Sequence, residues 1–273
     1  MENHKVILLA GYARGGTNIT WNILQSHPQI CSPVHETGTL FKKSLKLRVF
    51  QYIGEMIDCS KLLDKEITRF KIKNLQHDDN KFKSEDLLYS EEEIKKCAVC
   101  LKSVNNQIYY TEKIAKTYPD LYFIGLTRNG YSLADGYIRR GMSAEKAGAV
   151  YYTISEEMKR LSENLRNFKL LKFEDVIRDP FKVAEELFAY TEMEPEYLEK
   201  LRFKTKKVIN PDGNHKVRFG KEHRKYWVNR DNLDKIIDKN IDSRQKNRLS
   251  DEQIKEFNKQ AAGALSYFNY KIL

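Results

Sequence analysis

Short apolar runs alternate along the chain with longer stretches in which apolar residues recur at helical spacing. A strand covered on both faces is apolar at successive positions, so these runs predict buried strands. The predicted strands are Val6–Ala10, Gln29–Pro33, Ala98–Ser103, Leu121–Thr127 and Phe168–Phe173. The stretches that follow predict helices over 39–69, 105–118, 129–140, 143–165, 180–190 and within 231–273. Alternating strands and helices indicate an α/β fold with a central parallel sheet flanked by helices.

No internal repeat or low-complexity linker interrupts the 273 residues, and a single α/β domain can be this large. We therefore predict one domain over residues 1–273. It contains a helical, variable insertion at about 39–96 and a C-terminal basic loop with helices at about 206–273. The polar, lysine-rich part of the insertion, 70–96, is either a lid or an acceptor-binding segment.

A glycine-rich turn follows the first predicted strand and leads directly into a helix that ends at His27-Pro28. Strand, glycine loop and helix start together form a phosphate cradle, because amide groups and the helix dipole there favour an anion. Gly11 and Gly16 have the separation of a nucleotide P-loop, but Thr17 follows directly and the phosphate-binding lysine is missing. Arg14 lies inside the loop instead. The turn therefore predicts binding of an anion other than a triphosphate, with an ordinary strand-to-helix turn as the alternative.

The net charge of +10 suits a polyanionic ligand and is also compatible with nucleic acid. No nucleic-acid-binding signature accompanies the scattered lysines and arginines, so we do not expect a nucleic-acid partner. There is no signal-peptide pattern and no apolar run of membrane-spanning length, and we expect a cytoplasmic protein.

The loop Arg14-Gly15-Gly16-Thr17-Asn18, followed by His27-Pro28, resembles the 5′-phosphosulfate loop of sulfotransferases that use 3′-phosphoadenosine 5′-phosphosulfate (PAPS). The segment Leu170–Pro180 resembles the strand end of the same family, an aromatic followed by Glu-Asp and later Asp-Pro. The chain is most similar to the bacterial and tyrosylprotein branch. The resemblance implies a P-loop-like α/β domain, PAPS as donor, 3′-phosphoadenosine 5′-phosphate (PAP) as product, and no metal.

The resemblance also implies which residues hold the donor. Arg14, Gly15, Gly16, Thr17 and Asn18 would bind the 5′-phosphosulfate. Arg128 would grip the 3′-phosphate, but the family's serine eight residues on is replaced by Gly136. A backbone amide at Gly136, or the hydroxyl of Ser132 one helical turn earlier, would substitute for that serine. Phe173 would pack near adenine, and a late basic loop with Arg218, Lys221 and Lys216 would close over the nucleotide.

The resemblance implies sulfuryl transfer to a hydroxyl or amine of a small-molecule acceptor, such as a carbohydrate or a secondary metabolite like an alkaloid. Glu36 matches the family's general base, and the adjacent His35 is the rival. Arg14 would stabilise charge on the bridging oxygen, and Lys102 matches a lysine at the end of the third strand. The alternatives are a P-loop-like nucleotide kinase and a non-catalytic module that binds nucleotide or nucleic acid.

Overall fold

The structure of the protein is a computed structural model. It describes residues 5–33, 35–45, 47–49, 60–75, 89–195, 198–205, 207–209, 215–217, 219–222 and 224–273. The predicted basic-loop residue Arg218 lies outside this described part of the chain, as do residues 76–88 of the polar stretch 70–96.

A five-stranded parallel sheet has the strand order β2-β3-β1-β4-β5, and this confirms the predicted α/β fold with a central parallel sheet. The strands are β1 Val6–Gly11, β2 Ile30–Cys31, β3 Ala98–Val104, β4 Tyr122–Thr127 and β5 Asn167–Lys172. All six residues of β1 are buried, as its continuous apolar run requires for a strand in the middle of a sheet. Each predicted strand is present, with ends that differ by at most two residues.

Helices follow the strands in the alternation that the sequence predicts. In chain order they are α1 Thr17–Leu24, α2 Thr37–Lys43, α3 Ser60–Leu75, α4 Glu91–Lys96, α5 Thr111–Thr117, α6 Gly130–Ile138, α7 Ala144–Asn164, α8 Phe173–Arg178, α9 Pro180–Tyr190, α10 Ile241–Lys246 and α11 Asp251–Tyr267. Two 3-10 helices add Asn105–Tyr110 and Arg230–Lys235. Side-chain caps define several starts: Ser143 accepts a hydrogen bond from Lys146 N at α7, and Ser250 accepts one from Gln253 N at α11.

Two expectations were wrong. The predicted helix over 39–69 is interrupted, because α2 ends at Lys43 and Ser44 is extended. The Ser44 hydroxyl donates to Glu66 Oε2 at 2.6 Å and accepts from Leu47 N at 3.2 Å, so this side chain satisfies polar groups at the break.

The second wrong expectation concerns the predicted basic loop, which contains short strands. Strands β7 Lys207–Ile209 and β8 His215–Val217 pair antiparallel, and β9 Lys225–Val228 pairs with β6 Leu201–Lys204. Each run is only three or four residues long, too short to show a strand period in the sequence.

The chain forms two compact units. The first comprises Met1–Ile7, Asn18–Leu101 and Asp179–Asp238, and the second comprises Leu8–Thr17, Lys102–Arg178 and Lys239–Leu273. In the second unit α11 lies close against α7, since a Cβ on Gly148 would stand 2.5 Å from the carbonyl oxygen of Phe257. Among the described helices none is both long and apolar enough to cross a membrane. The assignment of residues 1–273 to one domain stays a prediction.

Candidate functional site

The loop between β1 and α1 has an unusual backbone. Arg14 has a φ of 67° and Gly16 a φ of 93°, both in the left-handed region. A residue other than glycine in this region costs roughly 1 kcal/mol or more, and such strain concentrates at functional sites. The strained residue is the arginine that the sequence places inside the predicted anion loop.

Internal hydrogen bonds hold the loop in this shape. Gly15 N donates to Tyr12 O at 3.0 Å, and Ala13 N donates to Asn105 Oδ1 at 2.7 Å. The same Asn105 oxygen accepts from the Tyr137 hydroxyl at 3.3 Å. Asn105 follows β3 directly and has a φ of 52°, so its side chain positions the loop. Sequence reasoning missed this role, although an asparagine at a strand end was a signal for a left-handed turn residue.

Phe173 packs against the loop glycine. A Cβ on Gly16 would stand 2.0 Å from Cδ2 of the Phe173 ring, so only glycine allows the loop and the ring to approach this closely. The Arg128 guanidinium also lies over this ring, with its carbon 4.4 Å from the ring centroid. Phe173 is 3% exposed. It therefore supports both the loop and Arg128.

Arg128 follows β4 and is held by three hydrogen bonds. Its Nε donates to Asp242 Oδ1 at 2.7 Å, and its Nη1 donates to Arg14 O at 2.7 Å. Its Nη2 donates to Gln245 Oε1. At 4% exposure the guanidinium is buried, and it joins the loop carbonyl of Arg14 to two side chains of α10.

The two positions predicted to complete the 3′-phosphate contact lie on α6. Ser132 is 1% exposed, and its hydroxyl donates to the backbone oxygen of Asp242 at 3.0 Å. Gly136 faces Arg14, since a Cβ at this position would stand 3.6 Å from Arg14 Cβ, an ordinary contact distance. Six of the predicted site residues thus lie near one another in the second unit: Arg14, Gly16, Arg128, Ser132, Gly136 and Phe173.

Glu174 holds the turn after β4. Its Oε1 accepts from Asn129 N at 2.8 Å, and its Oε2 accepts from the Tyr270 hydroxyl at 2.9 Å. Burial, followed by the neighbouring Asp242 carboxylate with which it shares a hydrogen bond, raises the pKa of Glu174 to about 7. Sequence reasoning did not find Asp242, because α10 carries no motif and is separated from Arg128 by more than a hundred residues.

Arginines surround the loop. The Arg14 side chain reaches solvent, yet partial burial of the guanidinium lowers its pKa, and the charges of Arg140, Arg128 and Arg139 lower it further. These neighbouring positive charges repel one another and create a positive electrostatic potential at the loop. A bound anion would reduce this repulsion. The site is therefore suited to an anionic ligand beside Arg14.

The remaining predicted donor-site residues of the second unit are buried. Gly15 is buried, Thr17 is 4% exposed, and Lys102 near the end of β3 is 3% exposed. In the described part of the chain no group of three or more His, Cys, Asp or Glu residues could hold a metal ion.

Asn18 and the candidate bases belong to the first unit. Glu36 precedes α2, and its carbonyl oxygen accepts from Thr39 N and Leu40 N, both at 3.0 Å. The side chain of Glu36 makes no capping hydrogen bond and is partly exposed. His35 Nε2 accepts from Lys43 Nζ at 2.9 Å.

Partial burial lowers the pKa of His35, and the nearby positive charge of Lys43 lowers it further. The imidazole is therefore neutral, but its Nε2 lone pair is already engaged with an ammonium group. His35 would have to lose this hydrogen bond before its Nε2 could accept a proton from another molecule.

Lys221, a member of the predicted basic loop, has an exposed side chain. Its amide donates to the Tyr226 hydroxyl at 2.9 Å, and its carbonyl accepts from the hydroxyl of Thr205. The backbone at Lys221 is thus fixed while the ammonium group remains on the surface.

Comparisons with protein families and with solved structures both find sulfotransferases. A model described as the Sulfotransferase family matches residues 7–197. Among solved structures, the sulfotransferase domain from the curacin biosynthetic pathway is 18% identical, with a TM-score of 0.57 over 99% of both chains. The sulfotransferase domain of the Synechococcus PCC 7002 olefin synthase is 15% identical, with a TM-score of 0.59 over 99% of this chain and 98% of that one. No curated protein matches the chain significantly.

Proposed function

Because the chain belongs to the sulfotransferase family, we propose that it transfers a sulfuryl group from PAPS to a hydroxyl or amine of a small-molecule acceptor. The donor and the acceptor are both part of this proposal, since the family match covers residues 7–197 and specifies neither.

One observation carries the donor assignment. Arg14 is held in a left-handed conformation within the glycine loop and is linked through its carbonyl oxygen to Arg128, 2.7 Å away. Two cations from distant parts of the sequence thus meet at one loop. PAPS carries its two anionic groups on one ribose, at the 5′ and 3′ positions. A pair of neighbouring arginines supports recognition of such a ligand better than recognition of a single phosphate.

The donor-binding roles follow the sequence prediction. The loop from Arg14 to Asn18 would bind the 5′-phosphosulfate, and Arg128 would bind the 3′-phosphate. Phe173 is buried beside Gly16 and Arg128, so we propose that it orients these two residues in addition to packing near adenine. Lys221, and Arg218 outside the described residues, remain proposed ligands of the nucleotide from the late basic segment.

The transfer is proposed to be in line. The acceptor oxygen or nitrogen forms a bond to sulfur while the bond from sulfur to the 5′-phosphate oxygen breaks, and PAP leaves with that electron pair. Glu36 takes the acceptor proton, and Arg14 with Lys102 stabilises the charge that develops on the leaving oxygen. His35 is the weaker candidate base, because Lys43 Nζ occupies its Nε2.

The acceptor is proposed to be a carbohydrate or a secondary metabolite such as an alkaloid. The chain is less consistent with a nucleotide kinase, because its glycine loop lacks the P-loop lysine and because it belongs to the sulfotransferase family. A module that binds nucleotide without catalysis is the alternative that an experiment must exclude.

The test has a binding arm and a transfer arm. Calorimetric titration with PAP, and with ADP for comparison, measures donor-site recognition. Transfer of labelled sulfate from PAPS to a panel of sugars and amines then measures catalysis. Binding of PAP without any transfer would support the non-catalytic alternative, and binding of ADP in preference to PAP would contradict the donor assignment.

Substitution of the candidate base separates chemistry from binding. Glu36→Gln should lower kcat by about 10²–10⁴-fold and leave the Kd for PAP unchanged, because a general base acts in the transition state. His35→Gln is the matched control and should retain most activity. The opposite pattern would move the role of base to His35.

A further inference from the structure

The two side chains assigned to the donor's 3′-phosphate are both bound by one residue of the protein itself. Arg128 Nε donates to the Asp242 carboxylate at 2.7 Å, and Ser132 Oγ donates to the Asp242 backbone oxygen at 3.0 Å. Gln245, on the next turn of α10, accepts a further hydrogen bond from Arg128 Nη2. Asp242 therefore binds Arg128, the proposed ligand of the 3′-phosphate, and Ser132, a candidate for the same contact.

We propose that Asp242 is an internal substitute for the 3′-phosphate, and that the donor must displace its carboxylate from Arg128 in order to bind. Asp242 thereby sets how strongly the site distinguishes nucleotides that carry a 3′-phosphate from those that lack one. This inference rests on the proposed function, because it takes Arg128 and Ser132 as the 3′-phosphate ligands.

The chemistry of the two anions makes them mutually exclusive. A carboxylate carries one negative charge, whereas a phosphate monoester carries between one and two at neutral pH and offers three acceptor oxygens. Both need the same buried guanidinium, which is 4% exposed and has no other carboxylate as an ion-pair partner among the described residues. A phosphate placed on Arg128 beside the Asp242 carboxylate would bring like charges together in a poorly solvated place.

The displaced Asp242 carboxylate could move into a neighbouring cavity. A cavity of about 360 Å³ adjoins Asp242 and is lined by Asn129, Glu174, Tyr270 and two lysines, Lys239 and Lys246, among others. Rotation of Asp242 away from Arg128 would exchange a guanidinium for nearby ammonium groups.

Calorimetric titrations with PAP and with AMP test the inference, because the two nucleotides differ in the 3′-phosphate. Asp242→Asn keeps a hydrogen-bond acceptor for Arg128 but removes the competing charge. The ratio of the AMP Kd to the PAP Kd should rise about tenfold or more in this variant, equivalent to about 1.4 kcal/mol. Asp120→Asn is the matched control, because it removes a carboxylate that is 77% exposed, and its ratio should equal that of the parent.

A second measurement uses the unaltered protein. Amide hydrogen exchange over 239–248 should change when PAP saturates the site and should not change with AMP, because only the 3′-phosphate displaces the Asp242 carboxylate from Arg128 and so removes one of the contacts that hold α10. This readout remains valid even if Asp242→Asn folds poorly.

The outcomes separate the two proposals. If PAP binds the parent and the ratio in Asp242→Asn is unchanged or falls, Asp242 positions Arg128 and the substitute role is wrong, while the proposed function stands. Binding of PAP by the variant but not by the parent supports displacement. If neither protein binds PAP, the donor assignment fails and the inference fails with it.

Discussion

Replacement of Gly16 by alanine tests the contact between the anion loop and Phe173 most directly. Gly16 has a φ of 93°, and a Cβ there would lie 2.0 Å from ring carbon Cδ2 of Phe173. Carbon atoms in contact are normally separated by about 3.5–4.0 Å. Gly16→Ala must therefore displace either the ring or the loop.

The expected cost has two independent parts. An alanine in the left-handed region costs roughly 1–2 kcal/mol. Forcing extra volume into a packed site costs typically about 1–3 kcal/mol more. The free energy of unfolding should thus fall by about 2–5 kcal/mol, a large fraction of the about 5–15 kcal/mol typical of a folded protein.

Two other glycines of the second unit serve as controls in urea unfolding experiments. Gly141 has a φ of 87°, but a Cβ at this position would have no atom within 4 Å, so Gly141→Ala should show the backbone cost of about 1–2 kcal/mol alone. Gly263 lies within α11 with open space around it, so Gly263→Ala should stabilise the protein by about 0.5–1 kcal/mol. Midpoints should be compared at equal m-values.

The difference in stability loss between Gly16→Ala and Gly141→Ala shows whether the Phe173 ring crowds the loop. Equal losses of stability would show that the Phe173 ring does not press on the loop, and the reasoning would then be refuted. A cycle with Phe173→Leu adds an independent check, because the double variant should lose less stability than the sum of the two single variants.

Two further predictions concern the same unit. Gly136→Ser introduces the serine that the sulfotransferase family has at this position, where a Cβ would lie at an ordinary contact distance of 3.6 Å from Arg14 Cβ. The Kd for PAP in calorimetry should fall about tenfold, because the serine hydroxyl would add a hydrogen bond to a charged group. An unchanged Kd would mean that the 3′-phosphate does not reach α6. Burial and the Asp242 carboxylate raise the pKa of Glu174 to about 7, so the native state retains a proton that the unfolded chain has released, and stability should fall as pH rises from about 4.5 to about 7. This fall, at most about 3 kcal/mol, should be absent from Glu174→Gln in urea unfolding at pH 5 and pH 8, and the same slope in both proteins would contradict it.

The strands of the sheet could be predicted because burial on both faces leaves a continuous apolar run. Val6–Gly11 and Tyr122–Thr127 are buried almost throughout and were predicted to within one residue. The short strands between Leu201 and Val228 could not be found in this way. Each has three or four residues, and β6 pairs with a partner more than twenty residues away, so the pairing depends on contacts that no local pattern records.

In the candidate site, too, some residues could be predicted from the sequence and others could not. Arg14 and Arg128 follow strands of one parallel sheet, and topology alone brings such positions to the same edge. Asp242 and Asn105 were not predicted as parts of the site. Asp242 lies on a short helix without a motif, and Asn105 acts through its side-chain oxygen on the amide of Ala13, a contact that depends on its left-handed backbone.

The strand-end signature Phe173-Glu174 illustrates how a motif can be required without taking part in chemistry. The Phe173 ring lies against Gly16 and also carries the Arg128 guanidinium. Glu174, the next residue, accepts from the amide of Asn129, which directly follows Arg128. Two adjacent side chains at the end of β5 therefore fix both the anion loop after β1 and the arginine after β4. We therefore expect a change in either residue to move these two cations relative to each other and so to weaken the proposed binding of an anion.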